Sequence, residues 1–195
     1  MNHRFLAGSV LALACLGAFA QTNTATTVQR DVNQQTRIEQ GLKSGELSTK
    51  EAAKLEGEQA RVDRLQARSL KDGKLTPAER ARLQAAQNKT SADIAAAKHN
   101  DVKGNPDSAS SQRMQADVQR NINQDQRIEN GVKNGSLTNR EVAKLERGQA
   151  NVSRKEAIAG RDGHVNSLEQ GAVQRTENRQ SRKIYRQKHD AQVRG

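Results

Sequence analysis

The chain has 195 residues and a formal net charge of +11, with 33% hydrophobic and only 2% aromatic residues. A single cysteine excludes a disulfide framework, and so few aromatics leave little on which nucleic-acid bases could stack. A core this short of large apolar side chains is a poor place for a catalytic pocket. No phosphate loop, nucleophile elbow or zinc-protease signature occurs in the sequence, so the reading is non-enzymatic with no catalytic residues.

Residues 1–20 differ from the rest. Arg4 precedes an apolar run from Phe5 to Ala20 that closes on Ala18-Phe19-Ala20. This is the layout of a secretory signal peptide, and it predicts cleavage before Gln21 and a periplasmic or secreted mature protein. The run is short for a bilayer span and no second one follows, so no transmembrane segment is expected in the mature chain. Cys15 lies inside the run; Ala12 before it and the apolar residues after it argue against lipidation there. Cleavage leaves no thiol for catalysis or metal binding.

Val28 to Asn100 aligns with Val118 to Asp190 at a constant offset of 90, with 31 identities in 73 positions and no gap. A duplication follows: one repeat over 21–100, a linker over 101–111 rich in Gly, Pro, Asp and Ser, and a second repeat over 112–195 with a basic C-terminal helix. Each repeat reads as three helices. In the first, Val28, Val32, Ile38 and Leu42 share one face at helical spacing. A turn at Gly45 follows, and Ser48 with Glu51 opens the second helix as a capping box. Leu55, Val62 and Leu65 line that helix, which stops at Asp72-Gly73. Thr76, Pro77 and Glu79 open the third, whose narrow stripe is Leu83, Ala86, Thr90, Ile94 and Ala97. Thr138 with Glu141 and Asn166 with Glu169 repeat the two boxes. The expected fold is all-α, a tandem duplication of a three-helix module with six main helices. A three-helix bundle per copy is the simplest arrangement, and an elongated array is the alternative.

Four turns share the pattern Gly, any residue, apolar residue, Ser/Thr/Asn, two residues, Glu: Gly45–Glu51, Gly73–Glu79, Gly135–Glu141 and Gly163–Glu169. The pattern resembles the second half of an EF-hand calcium loop, which implies Asp72, Glu79, Asp162, Glu169, Asn134 and Glu141 as candidate metal ligands and calcium as a candidate ion. The first halves lack ligands: Gln40, Arg68, Asn130 and Ile158 occupy the opening position. A glycine turn, an apolar staple, an N-cap and a capping glutamate explain the same pattern without metal. The chain as a whole resembles exported proteobacterial helical repeat proteins with DG-x-[LV]-T-x-x-E turns. Leu-Ser/Thr-x-x-Glu also resembles the Leu-Thr-x-x-Gln repeats of periplasmic stress proteins of the Spy and CpxP type, which implies a chaperone-like role as a further alternative.

His99, His164 and His189 have no i, i+4 partner, and they read as solvated helix-end histidines. The charge is concentrated at the end of the chain. Arg175, Arg179, Arg182 and Arg186 recur at helical spacing beside Lys183 and Lys188, on the side away from Val173 and Ile184. Such a stripe attracts phosphate-rich or otherwise anionic partners. Export makes anionic envelope components or other proteins the expected partners, and specific nucleic-acid binding is not expected.

Overall fold

The computed structural model describes residues 14–190 in backbone and 24–190 in side chains. The leader residues, the expected cleavage point before Gln21 and the lipidation question at Cys15 lie outside the described side chains. Six helices follow in order: α1 Ala14–Ser44, α2 Thr49–Ser69, α3 Pro77–Lys98, α4 Ala109–Lys133, α5 Asn139–Ala159 and α6 Ser167–Lys188. The described residues contain no strand, and none of their helices is long and apolar enough to cross a membrane.

The helix starts lie where the caps put them. Ser48, Thr76, Thr138 and Asn166 each accept from the backbone N–H three residues on, and Glu51, Glu79, Glu141 and Glu169 each close the box onto the cap backbone. Gly45, Gly73, Gly135 and Gly163 carry φ between 74° and 94°, the left-handed conformation that stops each preceding helix. The linker is shorter than its composition suggests. Ser108 caps α4, so residues 109–111 are already helical. Gly104 N–H donates to Gly45 C=O at 2.9 Å, which docks the linker on the first turn.

The two copies do not close two separate bundles. The most extensive helix pairings are α2 with α5 and α1 with α4, each between copies. One apolar cluster joins Ile38, Leu42, Leu47, Leu55 and Ile94 of the first copy to Met114, Val118, Val165 and Val173 of the second. The other joins Ile128, Val132, Leu137, Leu145 and Ile184 to Val28, Leu70, Leu75 and Leu83. An offset of 90 exchanges most members of the two clusters. The start of α1 meets the end of α4, and the end of α1 meets its start, so these helices cross antiparallel about a pseudo-twofold relation. A single copy has too few large apolar side chains to bury its own stripes. Interlocking gives every stripe a partner.

Between the two clusters the helices carry a polar layer. Asp31 and Gln35 on α1 and Glu56, Gln59, Asp63 and Gln66 on α2 lie with Asn121 and Asp125 on α4 and Glu146, Gln149, Ser153 and Glu156 on α5. All are at most 5% exposed. The expected thin core is therefore completed by polar side chains rather than left loose.

Candidate functional site

The turn residues are occupied locally. Asp72 Oδ1 accepts from Lys74 N–H, Asp162 Oδ1 from His164 N–H and Asn134 Oδ1 from Ser136 N–H, at 2.9, 2.9 and 3.1 Å. Glu79, Glu141 and Glu169 each turn Oε2 back to the cap backbone at 2.7–3.0 Å. Each of the six candidate ligands thus shapes a helix entry. His99 and His189 sit at the C-terminal caps of α3 and α6, with Nδ1 2.7 Å from the carbonyls of Ala95 and Tyr185.

The basic stripe is solvent-facing and divides between two grooves. Val173 and Ile184 are buried under α6, while Arg175, Arg179, Arg182, Lys183 and Arg186 are exposed and Lys188 is half-buried. Arg182 and Arg186 line a groove of about 450 Å³ with Arg127, Ser181 and Tyr185, between α4 and α6. Arg179 and Lys183 line another of about 500 Å³ between α5 and α6, opposite Arg154, Lys155 and the exposed Ile158. No carboxylate lines either groove. Arg175 and Lys188 line neither.

The corresponding place in the first copy is electrically different. The groove between α2 and α3 is lined by Glu58, Arg61, Leu65, Arg68 and Lys89, and Lys89 is ion-paired with Asp93. Burial and the neighbouring Asp93 push the Glu58 carboxyl above its ordinary range. Ninety residues on, Gly148 stands for Glu58, Lys155 for Leu65 and Lys183 for Asp93. A Cβ at Gly148 would overlap the amide of Gln180, whose Nε2 donates to Leu145 C=O at 2.9 Å across the helix pair. The second copy thus lacks Glu58 and Asp93 and gains Lys155 and Lys183, while Asn151 and Ile158 stand where the first has Arg61 and Arg68.

The interior gathers acids instead. Desolvation raises Asp31 and Glu56 to about 7, and it raises Asp63, Asp125, Glu146 and Glu156 well above the carboxylate range. Asp117 is raised to about 7 and Glu177 to about 8, again mainly by burial; Glu177 also pairs with Arg120 at 3.1 Å. Side-chain amides hold several of these acids: Gln87 donates to Asp31 at 2.7 Å, Gln149 to Asp125 at 2.6 Å and Gln35 to Glu56 at 3.0 Å. Asn121 donates to Glu156 at 2.6 Å.

Sequence reasoning found the α6 arginines and missed Arg154 and Lys155, which are remote in the chain and share no spacing with them. It also missed the buried acids. Their signal was present: Glu56, Asp63 and Gln66 fall on the inner face of α2 with Gln59, where apolar residues are expected. Comparison of the chain with protein families, characterised proteins and solved structures finds no match.

Proposed function

We propose that this is a non-enzymatic exported protein that seats an anionic partner on the basic face of its second copy, with phosphate-bearing envelope lipid as the partner class. The observation that carries the reading is the α5–α6 groove: Arg154, Lys155, Arg179 and Lys183 line it without a carboxylate, while the equivalent groove holds Glu58 and Lys89 ion-pairs with Asp93. Four cations around one concavity reinforce one another, and an anion entering it meets no competing internal partner. The exposed Ile158 at the rim suits the edge of a lipid headgroup layer better than a free ion. A client-binding role of the Spy and CpxP type has less support. The exposed large hydrophobics among the described residues are Val102, Ile158, Leu168 and Tyr185, which make no broad patch.

The test is co-sedimentation with phosphatidylglycerol vesicles, with phosphatidylcholine vesicles and duplex DNA as comparison probes. The variant is Arg154→Gln, Lys155→Gln, Arg179→Gln and Lys183→Gln together. All four side chains are exposed on helices, and Gln is nearly as good a helix former as Arg or Lys, so helix content should hold. Vesicle binding should fall at least about tenfold and weaken steeply with salt in the parent. Equal binding by parent and variant would refute the groove as the site. Tight DNA binding with weak vesicle binding would move the partner class to polyanions.

A further inference from the structure

The centre of the molecule gathers acids that its own side chains leave partly unpartnered. Asp31 of α1, Asp63 of α2 and Glu146 of α5 each present a carboxylate oxygen within 4.8 Å of the other two, and all three are buried. Asp125 of α4 is close enough to act on Asp63 and Glu146. The charges that act on Asp63 are all negative: Glu146, Asp31, Asp125 and Glu56. Beside the group, Arg30 is the cation that acts on Asp31. One oxygen each of Asp31 and Glu146 is deeply buried without a hydrogen-bond partner.

The duplication supplies an internal comparison. At the equivalent place in the other half, Asn121 stands for Asp31, Ser153 for Asp63 and Gln35 for Asp125, with Glu56 in the place of Glu146. There Asn121 donates to Glu156 and Gln35 to Glu56, so each of these two acids has an amide donor on one oxygen and leaves the other without a partner. In the half that holds the three clustered acids, Gln66 has the position of Glu156, one helical turn beyond Asp63 on the same face of α2. Gln66 is fully buried, yet neither its amide oxygen nor its nitrogen has a partner. The amide oxygen of Gln59, one turn before Asp63, is buried and unpartnered as well. Buried amides are normally paired, and among the described buried amides Gln66 is the one with both atoms bare; on the same helix face as one of three clustered carboxylates, it points to a missing charged guest.

We propose that Asp31, Asp63 and Glu146 form a divalent-cation site where the two copies cross, with Asp125 and the amide oxygens of Gln59 and Gln66 completing an oxygen shell. The donor set is all oxygen, without His or Cys, which selects a hard ion such as calcium or manganese over zinc or copper. Metal–oxygen bonds of about 2.3–2.6 Å put opposite ligands about 4.6–5.2 Å apart and adjacent ones closer, so three oxygens within 4.8 Å of one another can share one ion. Carboxylate ligands bind a metal only when deprotonated, so the cation competes with protons and binds more strongly as pH rises. Each helix pair contributes a ligand, so the ion ties both copies together.

The experiment refolds the purified protein at pH 8 in EDTA, calcium, manganese, magnesium or zinc, then desalts it and measures bound metal and melting temperature. One calcium or manganese per chain and a rise of about 5–10 °C over the EDTA sample are expected. Asp63→Asn should abolish metal retention while melting no lower than the parent in EDTA, because a neutral amide of the same shape replaces a buried acid that faces only other acids; folding failure therefore cannot mimic the result. Glu156→Gln, in the other half, should keep the metal, and so should Glu79→Gln with Glu169→Gln in the surface turns. No retained metal and no shift in the parent would overturn the proposal. Metal retained by Asp63→Asn, or lost with the turn glutamates, would overturn it equally.

Discussion

Gly104 in the linker and Gly135 in a turn are both required, but for different reasons. Gly135 has φ 78° and open space where a Cβ would project, so its requirement is conformational. Gly135→Ala should cost about 1–2 kcal/mol, the strain of an L-residue in the left-handed region. A Cβ on Gly104 would overlap the backbone carbonyl of Leu47, which cannot swing aside as a side chain can. Gly104→Ala should displace the linker, break its bond to Gly45 and cost about 2–3 kcal/mol. Urea denaturation of the two variants orders them. Equal losses would mean that the linker is not docked as described. The same scale explains the turn glutamates. Each has its Oε2 at a cap backbone N–H, which a motif search cannot distinguish from a ligand held out to a metal.

At the scale of the element, the helices are specified mainly at their ends. α3 has few large apolar residues, and its buried positions are Leu83, Gln87, Thr90 and Ile94. With so weak a stripe, the Thr76, Pro77 and Glu79 entry matters more than usual. Thr138→Ala, at the entry of the better packed α5, removes a side-chain acceptor from Glu141 N–H and should cost about 1 kcal/mol without changing the helical spectrum at 25 °C. A loss of helix content at that temperature would show that α5 depends on its cap more than on its packing. α6 joins two roles. Val173 and Ile184 hold it down, and the arginines and lysine between them remain free to face solvent.

For the whole molecule, the buried acids set the response to pH. Asp31 and Glu56 rise to about 7, and Glu177 to about 8, whereas in the unfolded chain such groups titrate near 4. Between about pH 4 and pH 8 the folded chain therefore holds more protons than the unfolded chain, and stability falls as pH rises through that window. Below about pH 4 both states are protonated and this contribution is flat. Asp31 alone contributes a loss on the order of 4 kcal/mol by pH 8. In EDTA the melting temperature should be clearly higher at pH 5 than at pH 8; a flat or rising profile would contradict the buried, uncompensated layer. The interlocked cores make a separate prediction. Residues 21–107 and 108–195 expressed apart should each show weak helical signal, and mixing them should restore it with a one-to-one complex by sedimentation. Halves that are fully helical and monomeric alone would show that each copy closes its own core.

The six helices, their caps, the glycine stops and the duplication were legible in the sequence because each depends on residues within a few positions of one another. Val28, Ile38, Leu42, Leu83 and Ile94 were legible as buried for the same reason: helical spacing marks a face. Which face meets which was not legible. A stripe on α2 does not state whether its partner is α1 of its own copy or α5 of the other. The choice falls to α5 because only the pairing across copies buries all the stripes at once. The site residues divide in the same way. Arg179 and Lys183 could be read from spacing along one helix, but Arg154 and Lys155 join them only once α5 lies beside α6. Asp31, Asp63 and Glu146 belong to three helices and two copies, and looked like ordinary charges on polar faces. Only the crossing of those helices turns the faces inward and removes water, and that desolvation makes three common carboxylates a buried cluster of acids with raised pKa.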